Sequence, residues 1–329
     1  MNIKAIYTDS KSEVTRGVKA YRDIADIVES FRISTSIAGG AGKCEMNIIG
    51  DGADFNFGSE IRIIAGDDLV FVGYLFSVSM NDTERFSATF YDQTRYLRNQ
   101  DCLIYKQITA SELFTRICNE AGVKTGTIDA SQYKLPPTVS EGRAYWDMLA
   151  EAISLTAAYD KKMFIVRDNA GELEFRDIEN LRTDFVIDDE GIAMGFDYTI
   201  GIDKASYNQV KLGYPGGSSY DFGIANNSEL VNEWGLLQYY QLFKQKIGKS
   251  ELEKRCEQQL ALVSRPTREL RLECMGDWRI SAGSGVGVDI SSVMAFRGMR
   301  NFYVTSCDHE VSNDLHKMTL TLAIDNFGE

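Results

Sequence analysis

In the first and last thirds of the chain, apolar and polar positions alternate with a period of two, and in the middle third the period lengthens to about three and a half. A short strand is expected near Ile3 to Tyr7. FRISTSI (31–37) and KCEMNII (43–49) then flank AGGAG, whose glycines let two strands reverse direction. In GSEIRIIAGDDLVFVGYLFSV, Ile61 and Ile63 alternate with Glu60 and Arg62. Residues 68–97, DLVFVGYLFSVSMNDTERFSATFYDQTRYL, predict a hairpin. With Asn81, Asp82 and Thr83 as its loop, Val78 faces Phe86, Phe76 faces Ala88 and Tyr74 faces Phe90, which makes one face apolar throughout.

The middle of the chain predicts helices. Thr109-Ala-Ser-Glu112 has the form of a capping box, and Leu113, Phe114, Ile117, Cys118 and Ala121 line one face of the helix that follows, up to a stop at Gly122. After KLPPTVSEG, a second helix over Tyr145 to Ala158 carries apolar residues at 146, 149 and 153 and also at 145, 148, 152 and 155, so it is expected to be buried on two sides. MFIVRDNAGELEFRDI (163–178) predicts a hairpin turning at Asn169-Ala-Gly171, and FVIDDEG another strand.

In the last third, YNQVKLGY (207–214) alternates, PGGSSYDFGIANN (215–227) has the composition of a loop, and a helical section is expected from about Ser228 to Val263. That section breaks near Ile247-Gly-Lys and restarts at a second capping box, Ser250-Glu-Leu-Glu253. RELRLECM (268–275) and HKMTLTLAI (316–324) close the chain as strands, the latter with Met318, Leu320, Leu322 and Ile324 on one face that must be covered.

The two β-rich ends echo each other. GSEIRI (58–63) and GSGVGV (283–288) are each a Gly-Ser turn leading into a strand, and each precedes a hairpin with an apolar face. In the second hairpin, a loop at Ser312-Asn313 sets Asp308 opposite Lys317, Cys307 opposite Met318 and Tyr303 opposite Leu322. Internal duplication and the coincidence of two common motifs both fit this spacing.

The 329 residues, 44% of them apolar and 11% aromatic with four prolines, can bury substantial cores. Two or three domains are expected. The net charge of −13 is spread along the chain and opposes tight binding to a phosphate backbone. The start, MNIKAIYTDSK, lacks the apolar core of a cleaved signal, and no apolar run is long enough to cross a bilayer, so a soluble protein without membrane insertion is expected. Cysteines 44, 102, 118, 256, 274 and 307 are widely separated among apolar neighbours, which points to buried free thiols from a reducing cytoplasm.

Catalytic constellations are sparse. His309 and His316 face each other across the second hairpin, but two ligands are too few for a closed zinc site, and Asp308 and Glu310 point to the opposite face. GSGVG lacks the arrangement of a nucleophile elbow. IAGGAGK and YPGGSS do not sit between a strand and a helix as a phosphate loop does, so they are turns. A glycosidase needs two carboxylates across a cleft, one in apolar surroundings, whereas Asp67-Asp68 and Asp188-Asp189-Glu190 sit in polar turns. No catalytic residue, cofactor or metal is expected.

The run from Gly50 to Ile128 resembles the baseplate hub proteins of contractile-tailed phages, especially those of PBSX-like defective prophages and tailocins. The resemblance is carried by Phe55 to Ile63, FVGYLF (71–76), YDQTRYL (91–97) followed by RNQD, and TASELFTRICNEAG, and later by YNQVKLGY, EWGLLQYYQ and GDWRISAGSGVGV. It covers nearly the whole chain and is faintest over the first 30 residues.

What the resemblance implies is an α+β, mainly β fold with two related small β-barrel tube-type domains and α/β insertions. The first barrel would span 1–100, an α/β insertion domain 101–205, and the second barrel 206–329 with a helical insertion at about 228–264. Three such chains would present six similar units to a six-fold tail tube while keeping three-fold symmetry for a central spike. The duplication reading gains accordingly. The implied partners are further copies in a homotrimer, the tail tube protein, the central spike, wedge and LysM-bearing baseplate proteins, and the tape measure, in a particle made in a bacterial cytoplasm. The hairpin tips Met80, Asn81, Asp82, Thr83 and Glu84, with Ser312 and Asn313, are the candidate contacts with tube or neighbour. Carboxylates lining a lumen would repel DNA over a Debye length of about 10 Å, although plain solubility explains the charge equally well. The alternatives are a peptidoglycan-cleaving tail-tip enzyme and a carbohydrate-binding tail-tip adhesin with exposed aromatics; the hub reading expects Tyr74, Phe76, Phe86 and Phe90 to be buried.

Overall fold

The computed structural model describes residues 2–9, 20–50, 55–80, 85–188, 193–216, 219–243, 248–290 and 298–323. The chain forms two compact units, Met1–Phe196 with Arg271–Leu322, and a second built around Asp197–Leu270.

The first unit begins with seven strands, β1 (Ile3–Asp9), β2 (Ala20–Asp23), β3 (Val28–Ser36), β4 (Lys43–Ile49), β5 (Glu60–Ala65), β6 (Asp68–Met80) and β7 (Arg85–Tyr91). They lie in the order β3-β4-β7-β6-β5-β1-β2, every neighbour antiparallel. The expected alternation produces the core directly. Cys44, Met46 and Ile48 of β4 stand opposite Phe90, Ala88 and Phe86 of β7, all buried, and pack with Tyr7, Phe31, Ile33, Ile61, Ile63 and Leu75.

The register of the β6–β7 hairpin differs from expectation. Leu75 is opposite Phe90, Val78 opposite Ala88 and Met80 opposite Phe86, because the register shifts between Leu75 and Ser77. One extra residue in one strand turns all that follow it to the other face, so Phe76 points outward, 37% exposed, against Tyr91 and Tyr96. Phe86 and Phe90 are buried as expected, and Tyr74 is half-buried.

After a 3-10 turn at Gln93–Arg98 come β8 (Gln100–Tyr105), α1 (Ala110–Ala121), β9 (Thr125–Ile128), β10 (Thr138–Ala144), α2 (Tyr145–Asp160), β11 (Phe164–Asp168) and β12 (Leu173–Asp177). The capping box forms: the Glu112 N–H donates to Thr109 Oγ1 at 3.2 Å and the Thr109 N–H to Glu112 Oε2 at 2.7 Å. Gly122 ends α1 in the left-handed conformation, φ 66°. Leu113, Phe114 and Ile117 pack against Met148 and Leu149 of α2 and against the stacked rings of Phe164 and Phe175.

Next are β13 (Arg182–Asp188) and β14 (Ala193–Gly201). The second unit then contains β15 (Gln209–Pro215), β16 (Tyr220–Asn226), α3 (Ser228–Trp234), β17 (Gln238–Leu242) and α4 (Lys249–Val263). Its sheet runs β16-β15-β17, and Val210, Leu212 and Tyr214 of β15 pack against Leu252 and Cys256 of α4. Three expectations are corrected here. Tyr220–Asn226 is a strand rather than loop, because its glycine and asparagine lie in a ladder with β15. Gln238–Leu242 is a strand within the section read as helical, held parallel to β15. No second capping box forms: α4 starts at Lys249 with Gly248 as its cap, which places Ser250 inside the first turn.

The chain returns through β18 (Thr267–Met275), β19 (Gly285–Asp289), β20 (Arg300–Ser312) and β21 (Leu315–Ala323). The sheet order is β14-β18-β21-β20, with β19 against the first half of β20 and β13 parallel to β19. The hairpin turns at Asn313-Asp314, both with positive φ, one residue beyond the expected loop, as a two-residue primed turn requires. Met318, Leu320 and Leu322 are buried as their alternation demands; Ile324 lies outside the described residues. The second half of β20 pairs with β3, so both sets of strands form one continuous sheet from β2 to β14.

Candidate functional site

The echo between the two ends of the chain is a repeated piece of backbone. Gly58 (φ +79°) and Gly283 (φ +93°) share a left-handed conformation. Gly58 N–H donates to Leu75 C=O at 2.9 Å, and Leu75 N–H returns to Ser59 C=O at 2.9 Å. In the second copy Gly283 N–H donates to Val304 C=O at 2.8 Å, and Val304 N–H returns to Ser284 C=O at 2.9 Å. Tyr74 opposite Glu60 and Tyr303 opposite Gly285 are the last rungs of the two ladders. The inward side then changes phase at the same place, after Leu75 in β6, where the register shifts and half-buried Val78 packs on the core, and after Val304 in β20, where Cys307 and His309 are buried. A five- or six-residue strand, a 13-residue strand and a hairpin partner follow in the same order twice. The copies differ beside β5 and β19, where β1 is antiparallel and β13 parallel.

YDQTRYL is a joint between the first copy and the α/β insertion. Asp92 caps the 3-10 turn by accepting from the Thr94 N–H at 2.9 Å, and its own N–H donates to Gly42 C=O at 2.9 Å. Gln93 Oε1 accepts from the Lys124 N–H at 2.9 Å while its Nε2 donates to Gly171 C=O. Gly39 lies so close to Trp146 of α2 that a Cβ there would stand 2.4 Å from the indole nitrogen. Burial raises the Asp92 carboxyl well above its usual pKa, with the Asp168 charge adding to it, and burial raises Asp168 to about 6.

The two histidines come together as expected, but inside the core. The His309 Nε2–H donates to Ile280 C=O at 2.8 Å, so its Nδ1 is the acceptor for the His316 Nε2–H at 2.9 Å. Trp278 stacks on both rings, with its centroid 3.9 Å from that of His316. Burial lowers both pKa values, that of His316 to about 4, and this favours a neutral, structural pair. No group of three or more potential metal ligands occurs among the described residues. Five cysteines are buried free thiols; Cys102 is also free but exposed on the outer face of β8, contrary to expectation.

Of the expected contact residues, Asn81, Asp82, Thr83 and Glu84 lie outside the described residues. Met80 is 64% exposed at the end of β6, Asn313 is exposed at the other hairpin tip, and Ser312 is half-buried and paired with Ser30. Sequence pattern missed the surface that surrounds Met80. From Phe76 to Met80 the β5 side of β6 has no strand partner among the described residues. β14 is likewise an edge, bonded to β18 on one side, and exposes Met194, Phe196 and Ile200. In the second unit, Tyr220, Phe222, Ile224, Tyr240 and Leu242 are exposed on β16 and β17, with Lys211 Nζ 4.3 Å from the centre of the Phe222 ring.

The model of the YQBQ-like family matches residues 31–323, from within β3 to the end of β21. The chain belongs to the YQBQ-like family. Its relatives include the phage-like element PBSX protein XkdQ of Bacillus subtilis, 22% identical over 78% of each chain. The fold of this YQBQ-like chain is shared with a tail protein from Neisseria meningitidis, with a TM-score of 0.71 over 99% of this chain and 97% of that one at 13% identity. It is shared too with the Escherichia coli c3393 protein, a type VI secretion component described as structurally similar to the T4 tail proteins gp27 and gp5. There the TM-score is 0.59 over 91% of this chain and 74% of that one, at 10% identity.

Proposed function

We propose that this YQBQ-like protein is a non-enzymatic baseplate hub of a contractile phage tail or tail-like particle, working as a trimer that adapts a six-fold tube to a three-fold spike. The observation that carries this reading is the repeated Gly-Ser turn and meander. One chain presents nearly the same sheet twice, so three chains offer six similar units while their remaining parts keep three-fold symmetry. The likeness to tail proteins and to a type VI component supports the same reading. Its partners are further copies of itself, the tail tube, the spike, wedge and LysM-bearing baseplate proteins and the tape measure, in a particle assembled in a bacterial cell. The buried histidine pair and the joint carboxylates are bonded to each other or to backbone groups of the fold.

The exposed aromatic face of the second unit keeps an adhesin reading open to test. Retention on purified cell-wall glycan, lost in Tyr240→Ala, would support it. The hub reading is tested by counting chains in purified particles by quantitative mass spectrometry against the tube protein. Three copies per tail are expected; six or one would overturn the symmetry role.

A further inference from the structure

The sheet joins the two copies at one seam, and the partners for a second seam are left at its edges. Within the chain, Ser306 to Ser312 of β20 pair antiparallel with Ser36 to Ser30 of β3, and Ile37 N–H extends the ladder to Thr305 C=O at 3.0 Å. The counterpart of β20 is β6, aligned through Tyr303 and Tyr74 and through the shared change of phase that follows. The counterpart of β3 is β14. Each is nine residues long, each lies two places from the hairpin partner of the long strand, in the orders β3-β4-β7 and β14-β18-β21.

We infer that the open half of β6 in one chain pairs with β14 of a second copy, in the register that β20 and β3 adopt within a chain. This rests on the hub reading for the number of copies, and it names the surface by which they meet. Laying β6 on β20 and β14 on β3 places Val78 opposite Ile200 and Ser79 opposite Thr199, as Cys307 stands opposite Thr35 and Asp308 opposite Ser34.

Exposure agrees with this pairing. Phe31 of β3 is 5% exposed within its seam, whereas Phe196, which takes its place in β14, is 43% exposed; Met80, the counterpart of buried His309, is 64% exposed. An edge strand that has no neighbouring strand among the described residues and carries outward apolar side chains is a site that proteins ordinarily cover. The contact is head to tail, with different surfaces on its two sides, so repetition generates a ring when the rotation closes. With two similar units per chain, three chains would close a ring in which seams within chains alternate with seams between them.

The test is disulfide capture in the full-length chain with Cys102→Ser, which removes the exposed thiol. In the β20–β3 ladder Thr305 and Ile37 form a hydrogen-bonded rung, so Asp308 and Ser34 form a non-hydrogen-bonded one, whose side chains lie close. Mild oxidation of Ser79→Cys with Thr199→Cys should convert the monomer band to a covalent trimer, near three times 36.9 kDa, while each single variant stays monomeric on a denaturing gel. Ser34→Cys with Asp308→Cys is the control and should close within one chain. If native mass shows a trimer and the control closes but the 79–199 pair does not, the seam is wrong and the hub reading stands. A chain that remains monomeric at high concentration overturns the seam and the trimer together.

Discussion

Gly58 and Gly283 hold the same backbone pose at corresponding turns, each donating its N–H to a residue of the long strand that follows. Both have φ in the region that only glycine enters without strain, and a Cβ on Gly283 would also stand 2.2 Å from Ile165 Cδ1. Gly58→Ala should therefore cost about 1 kcal/mol and Gly283→Ala more, about 2–3 kcal/mol. Urea unfolding of the purified chain would check the order; equal small losses at both would mean the turns are not strained as described.

This pair also shows how much of the fold was legible in the sequence. The alternation in KCEMNII and HKMTLTLAI, the Thr109 capping box and the Gly-Ser echo each depend on near neighbours in the chain, and each appeared where expected. The bulge at Phe76 did not, since an aromatic residue there reads equally well on either face, and the outcome is set by pairing with β7. β16 and β17 were missed because their ladder partner, β15, rather than their own composition, decides their conformation. The edges of β6 and β14 were not legible at all. An open edge is defined by which strand is missing beside it, a property of topology and not of spacing.

Gln93 ties the first sheet to the α/β insertion through two backbone groups, the Lys124 N–H and the Gly171 carbonyl. Gln93→Ala leaves both without their partner in a partly buried place and should cost about 1–2 kcal/mol. Hydrogen exchange should show the Lys124 amide losing protection more than amides in the core of β4. Uniform loss across the chain would contradict a local joint.

Asp168 has its pKa raised to about 6 by burial, so between its unfolded value, near 4, and 6 the folded chain binds a proton that the unfolded chain does not. Its contribution to stability rises as pH falls through that window. Asp168→Asn lacks this gain, so the stability of the variant relative to the parent should be highest near pH 7.5 and should decline towards pH 4.5. Melting temperatures of both proteins across that range would check the slope.

His316 acts with the opposite sign. Its pKa is lowered to about 4 by burial and by the neighbouring His309, so between 6.5 and 4 the unfolded chain binds the extra proton. Stability supplied by the neutral ring is present above pH 6.5 and is lost as pH falls through that window. His316→Phe keeps a ring beside Trp278, and its stability relative to the parent should improve as pH falls from 6.5 to 4. A gap that does not move with pH would show that His316 titrates alike in both states.

The central claim is that one doubled chain, taken three times, imitates a ring of six. An averaged image of the particle tip at secondary-structure resolution tests this most directly. The account predicts three copies forming a ring of six similar sheets beneath the tail tube, with 58–97 and 283–323 occupying alternate places around it. Six chains around the ring, or the two segments in unrelated positions, would contradict it.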